Sequence, residues 1–240
     1  MPTRLPLYKI VKQKLTDALQ DGTWKHGQFL PPEPELAARV GASVGTLRKA
    51  VDELVAENLL VRRQGQGTHV ASHTRDTMLT RFFQIVDRDG EKRFPQAELL
   101  SFRRMRADAG TAEILGIAVN APVIQVENLL HLDGAPVILD RIRLPHALFP
   151  DMTEHLFIDR ETTIYGLYQS RYGITVVRTE ESITAALADL RVRTLLRMPA
   201  PAAVLRIVRT AYTYRDVAVD TRIRFVNTSR HRYLSALGKR

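Results

Sequence analysis

The sequence predicts an α+β chain of two domains, a small helical domain closed by a β-hairpin and a larger domain built on one antiparallel sheet. Three observations carry this. Apolar residues recur at helical spacing in three short stretches before Asn58. Beyond about residue 76 they alternate as in half-buried strands. A pattern of helix, strand, tight turn and returning strand then occurs twice. A length of 240 residues suits two domains of roughly 100–200 residues each.

Taken in order, Leu7, Ile10, Val11, Leu15, Ala18 and Leu19 mark a first amphipathic helix, closed by the turn pair Asp21-Gly22. After a loop through Gly27 and Pro31-Pro32, Glu33 opens a short second helix through Leu36, Ala37 and Val40. Glu33 and Glu35 sit in its first turn, where the helix dipole favours negative charge. Gly41 ends this helix, and Ser43 is a good N-cap for a third that buries Leu47, Ala50, Val51, Leu54 and Val55. Asn58 follows, a residue that tolerates the left-handed conformation a helix end needs. LLVRR and THVAS, joined by QGQG, read as a β-hairpin with a glycine-rich tip. Three short helices followed by a hairpin describe a winged helix-turn-helix. Residues 1–71 form this first domain, 72–80 a linker (Ser72 to Thr80), and 81–240 the second domain.

Within the second domain, EILGIAVNAPVIQVENLLHLDGAPVILDRIRL lies without gaps on TLLRMPAPAAVLRIVRTAYTYRDVAVDTRIRF. In that register Leu115 meets Leu196, Val123 meets Val204, Ile124 meets Leu205, and Arg141-Ile142-Arg143 meets Arg222-Ile223-Arg224. The turns are Asp133-Gly134 and Arg215-Asp216. Two helix-plus-hairpin units predict a pseudo-twofold domain around one antiparallel sheet.

Composition narrows the chemistry. Lys and Arg number 35 against 26 Asp and Glu, a net charge of +9, shared almost equally between the two domains. A chain this basic suits a polyanion partner. Cysteine is absent, which excludes disulfides, thiol catalysis and cysteine-based metal sites. No apolar run approaches the ~18 residues of a membrane span, and MPTRLPLYKIVKQKL lacks a signal-peptide core. A cytoplasmic protein with no membrane partner is expected. His131, His146, His155 and His231 show no metal spacing, and no Ser/His/Asp arrangement or phosphate loop occurs, so neither cofactor, metal nor catalytic residues are expected.

PLYKIVKQKL, FLPPEPELAARVGAS and TLRKAVDELVAENLLVRRQGQGTHV together resemble the DNA-binding domain of the GntR family of bacterial transcription regulators, over about residues 5–70. In a helix-turn-helix the second helix presents its N-terminal residues to base edges. Ser43, Thr46, Arg48 and Lys49 supply hydroxyls and cations there, and Arg grips guanine in bidentate fashion. In the wing, Arg62 and Arg63 offer charge, Gln64 and Gln66 offer amides, and Gly65 and Gly67 let the backbone approach DNA closely. The chain departs from the family at Val44 and Pro34, where many members carry arginine. The operator is therefore expected to differ from the family's usual palindrome, with Val44 touching a thymine methyl.

ETTIYGLYQSRYGITVVRTEESITA and HLDGAPVILDRIRLP resemble the UTRA effector domain of the HutC-type subfamily, whose fold is like that of chorismate lyase, over roughly residues 78–235. The resemblance implies that Arg141 and Arg143 capture an anion, a phosphate or carboxylate, and that Thr163 and Tyr165 match a Ser-x-Tyr segment at a helix start. Asp220, Arg222 and Arg224 share a strand face, and Glu180 and Asp220 can accept hydrogen bonds from an effector. Alternatively, these arginines pair with Asp140, Glu180, Glu181 or Asp220 across the sheet. The expectation is a homodimeric, effector-controlled repressor on a near-palindromic DNA operator. The rival is a chorismate-lyase-like enzyme domain fused to a DNA-binding module.

Overall fold

The computed structural model describes residues 5–235, in two compact units that divide between Ser72 and His73. In the first, α1 (Leu7–Gln20), α2 (Glu33–Val40) and α3 (Val44–Ala56) precede a hairpin of β1 (Leu60–Arg63) and β2 (Gly67–Val70). Val11, Leu15 and Leu19 of α1 pack with Leu47, Ala50, Val51 and Leu54 of α3, all nearly inaccessible. Lys12 fastens the same two helices from outside, with its Nζ 2.9 Å from Glu53. The Ser43 hydroxyl caps α3 by accepting from the Thr46 amide at 3.2 Å. Asn58, at φ 59°, turns the chain out of α3 into the hairpin. Gly27 to Leu30 runs along β2, with the Leu30 amide donating to the Thr68 carbonyl, and so widens the wing.

The second unit opens with one helical turn, α4 (Arg75–Thr77), that runs into a π-helical turn over Met78–Phe82. The stretch expected as a linker is thus folded from His73 onward. β3 (Ile85–Asp87) leads to β4 (Gln96–Arg106), α5 (Ala109–Leu115), β5 (Pro122–Leu132) and β6 (Ala135–Pro145). Next come α6 (Glu154–Ile158), α7 (Ile164–Tyr172), β7 (Arg178–Leu187), α8 (Leu190–Leu195), β8 (Ala203–Tyr212), β9 (Ala218–Val226) and β10 (His231–Tyr233). Six strands form one antiparallel sheet in the order β4-β5-β6-β9-β8-β7, and β3 pairs with β10. The repeat read in the sequence is α5-β5-β6 followed by α8-β8-β9; the structure extends each half by a preceding strand, β4 or β7, with the pseudo-axis between β6 and β9.

The gapless register of that repeat fails in its second strand. Val123 pairs with Pro145 in the first hairpin, and Leu205, not Val204, pairs with Val226 in the second. The first hairpin turns through Asp133-Gly134 alone, whereas residues 213–217 connect β8 to β9. The longer connection slips β9 by one residue, so the position of Arg141 in β6 is matched by Ile223. A one-residue slip turns every side chain to the opposite face.

That slip decides what each face of the sheet becomes. On one face α5 and α8 pack over Leu129, Leu139, Val204, Val123 and Ala218. On the other, Ile124, Val126, Ile142 and Leu144 lie beneath Phe149, Phe157, Tyr165 and Tyr168. α7 buries Tyr165 through Gln169 consecutively, so it is enclosed on all sides rather than amphipathic. Gly166 makes this possible. A Cβ there would overlap the Thr162 side chain and lie 3.0 Å from the His73 carbonyl oxygen. Gly166→Ala should therefore destabilise the second unit by about 1–3 kcal/mol, the usual cost of overpacking, read as an earlier thermal transition. An unchanged transition would show that His73 can retreat freely.

Candidate nucleic-acid interface and effector cleft

The N-terminal turn of α3 and the hairpin tip are the exposed features of the first unit. Ser43, Arg48, Lys49, Arg62, Arg63 and the tip from Gln64 to Gly67 are all exposed, and Thr46 is partly so, its hydroxyl 2.9 Å from that of Ser43. Arg48 is held by Glu33 of α2, which accepts from its Nε at 3.0 Å and its Nη2 at 2.6 Å. Lys49 lies 4.1 Å over the Tyr8 ring, and Arg62 pairs with Asp52 at 2.7 Å. Gly65 has φ 74° with open space around it, so backbone conformation is what requires glycine at the tip. The result is a helix end and a ribbon of polar backbone, both bearing cations, with Arg48 and Arg62 held by the solvent-accessible carboxylates of Glu33 and Asp52. Such tethers are weak in water and easily exchanged for phosphate.

In the second unit a cleft of about 690 Å³ opens beside α7. Its floor is Asn128, Asp140, Arg222 and Arg224 from three adjacent strands; Arg160, Thr162, Thr163 and Ile164 form one wall, and Arg75, Met78 and Phe94–Ala97 the other. Asp140 accepts from Arg224 Nε at 3.2 Å and Nη2 at 3.1 Å, and Arg222 lies 3.6 Å away. Burial would raise the Asp140 carboxyl, but Arg224 and Arg222 overcome it and hold it below its ordinary value. Behind the floor, Arg222 donates to Asp220, which also accepts from the Tyr168 hydroxyl at 3.2 Å. Burial and the Asp220 charge together push Tyr168 far above its ordinary value, so it stays a neutral donor.

Two lining groups are left wanting. Asn128 is 1% exposed, and neither its amide nitrogen nor its oxygen has a hydrogen-bond partner. Arg160 stacks 4.5 Å from the Phe157 ring and donates to the Phe157 carbonyl, yet its Nε is unpartnered. Unsatisfied buried polar atoms are costly and uncommon, so both groups have hydrogen-bonding capacity still to be met. The cleft thus carries four guanidinium groups against one lining carboxylate, with apolar walls.

The sheet does not bring all the sequence-derived effector residues here. Thr163 lines the cleft, but its hydroxyl is occupied by capping α7 at the Gly166 amide, 2.9 Å away. Tyr165 lies behind that wall, with Arg222 5.1 Å from its ring and its hydroxyl unpartnered. Arg222 and Arg224 line the floor, and Asp220 supports them. Arg141 and Arg143 are on the opposite face. Arg141 pairs with Glu127 at 2.8 Å, and Glu127 also binds Arg191 of α8. Arg143 reaches Asp108, the N-cap of α5, at 2.9 Å. These two arginines anchor the covering helices, which is the pairing alternative with different partners. Glu180 is on that face too, exposed and bound by Arg178 and Tyr212. Sequence reasoning missed Arg75, Arg160 and Asn128. Asn128 left a trace, being a polar residue at an inward position of an apolar strand; the arginines left none.

Residues 7–70 match the family described as bacterial regulatory proteins, gntR family, and residues 90–232 match the UTRA domain. The chain belongs to the GntR family. It is a transcription regulator of the branch with a UTRA effector domain, not an enzyme. The HTH-type transcriptional repressor PhnF of Mycolicibacterium smegmatis is 31% identical over 219 residues, 91% of this chain and 87% of that one. Escherichia coli K12 has a "Probable fructoselysine utilization operon transcriptional repressor" that is 28% identical over 225 residues, 93% of this chain and 91% of that one. The crystal structure of PhnF from Mycobacterium smegmatis superposes with a TM-score of 0.55 at 28% identity, covering 96% of this chain and all of the other. In this GntR regulator the cleft reaches beyond the UTRA match, because Arg75 and Met78 precede residue 90.

Proposed function

We propose that this regulator is a dimeric repressor whose hold on a near-palindromic operator is set by a small anionic metabolite in the cleft beside α7. Two winged units would read half-sites about one helical turn apart. α3 would enter the major groove with Ser43, Thr46, Arg48 and Lys49 toward the bases. The tip Arg62–Gly67 would follow the phosphates. The observation that carries the effector reading is the cleft's surplus of guanidinium groups beside the unpartnered Asn128 amide. The first favours phosphate or carboxylate, and the second favours a hydroxyl or amide on the same molecule. Arg222 and Arg224 are already balanced by Asp220 and Asp140, so Arg160 and Arg75 supply the spare charge. The metabolite relieves repression if it binds the DNA-incompetent arrangement more tightly.

Thermal-shift measurement with sugar phosphates, carboxylates and amino-acid derivatives tests this. A ligand at a hundred times its Kd stabilises by about 2.7 kcal/mol, a shift of roughly 5–10 °C for a unit of this size. Arg160→Gln should remove that shift and Arg143→Gln should leave it. The reverse pattern would move the anion to the helix-covered face and sink the cleft as its site.

A further inference from the structure

Arg48 is the one arginine of α3, and it stands in a ring of four charges that joins α2, α3 and the hairpin. Its Nε and Nη2 both donate to Oε2 of Glu33, at 3.0 and 2.6 Å. The other oxygen of Glu33, Oε1, lies 3.8 Å from Arg62 Nη2 on β1, and Arg62 Nη1 donates to Asp52 Oδ1 at 2.7 Å. Asp52 returns the ring to α3, one helical turn beyond Arg48. All four side chains are solvent-accessible, and exposed pairs add little stability. The buried residues of α1 and α3 hold the unit together without them. Packing does not orient the hairpin tip against α2 either. A groove of about 450 Å³ lies between Leu36 and Val51 of the helices and Gln64 to Thr68 of the hairpin.

We propose that Glu33 sets the operator specificity of this regulator as a positioning residue, fixing Arg48 for a base edge and tying the hairpin to the same carboxylate. This rests on α3 as the reading helix. A guanidinium has five N–H donors, and Glu33 engages Nε and one hydrogen of Nη2. That is one side of the fork. Its end, Nη1 with the remaining hydrogen of Nη2, stays open, and two parallel donors of that kind match O6 and N7 of guanine. Phosphate is treated differently. Any backbone phosphate must compete with Glu33 for the same charge, and the carboxylate repels it. Glu33 therefore favours a guanine edge at Arg48 and opposes the capture of Arg48 by phosphate, so it discriminates by attraction and by repulsion together. A guanidinium oriented before docking also loses less side-chain freedom on binding.

The full chain, a duplex it selects from a random pool and a scrambled duplex test this by fluorescence anisotropy. Glu33→Gln keeps the length of an exposed side chain and removes its charge. It should weaken binding to the selected duplex and tighten binding to the scrambled one, so that their affinity ratio falls roughly tenfold, within the range of one bidentate base contact. In an Arg48→Ala background the same change should leave the ratio where Arg48→Ala alone puts it. An earlier thermal transition with equal losses on both duplexes would make Glu33 merely structural and overturn the proposal. Additive losses of preference from Glu33→Gln and Arg48→Ala overturn it too. If Arg48→Ala keeps sequence preference, both α3 as reader and Glu33 as its positioner are overturned. If Arg48→Ala loses preference and Glu33→Gln keeps it, only the role of Glu33 is overturned.

Discussion

Arg48→Ala should weaken binding to the regulator's own operator by roughly 5–150-fold, the range of about 1–3 kcal/mol for one bidentate base contact, and should flatten the preference for one base pair in each half-site. The guanidinium projects from the first turn and a half of α3 and is oriented by Glu33 through two hydrogen bonds. Both partners are substantially exposed, with 58% and 31% of their side-chain surfaces accessible, so the pair positions the arginine without sequestering it. Arg63 offers the contrasting case. It lies on the exposed face of the wing, and Arg63→Ala should weaken all sequences about equally and lower the salt slope by about one. Fluorescence anisotropy against operator and scrambled duplexes over a range of KCl separates the two. If Arg63→Ala erased sequence preference and Arg48→Ala did not, α3 would not be the reading element.

Asp140→Asn should destabilise the second unit by about 3–5 kcal/mol, because it strips the charge from a carboxylate that neutralises buried guanidinium groups. Arg224 and Arg222 are each 2% exposed and cannot find water instead. For a unit of this size the midpoint should fall by roughly 6–20 °C. The pH dependence has a definite sign. The Asp140 carboxyl sits below its ordinary value in the fold, so its contribution is complete above the unfolded carboxyl's pKa of about 3.9 and disappears as pH falls through the lower, folded value. Wild type and variant should therefore differ most near neutrality and converge in acid. Thermal melts from pH 7 downward check this; a variant as stable as wild type at pH 7 would mean the arginines are balanced elsewhere.

The first unit was legible almost residue by residue because its boundaries are written locally. Ser43 caps, Asn58 takes the left-handed turn, and glycines space the wing, each within a few residues of the element it ends. The larger unit was legible as a repeated motif and as an antiparallel sheet. Its faces were not, because they depend on the length of one connection. Counting alternate residues correctly placed Arg141 with Arg143 and Arg222 with Arg224. Which pair looks into the cleft was settled by the slip between β8 and β9, which sequence alignment of the two halves conceals. Arg75 was hidden for another reason. It lies in a stretch with the composition of a linker, and only the docking of His73, whose amide donates to Gln169 and whose Nε2 accepts from the Val176 amide, fixes that stretch to the sheet domain.

The two halves of the sheet repeat one pattern of elements, and full symmetry between them would give two equivalent clefts. The displaced β9 removes that equivalence. Where the first half presents the open Asn128 and Asp140, the matching ground in the second is filled by Arg209 against Glu181, with Tyr233 closing over it. Titration with the anionic metabolite proposed above should therefore saturate at one equivalent per chain rather than two. The lengthened turn between β8 and β9 thereby fixes how many such clefts one sheet offers.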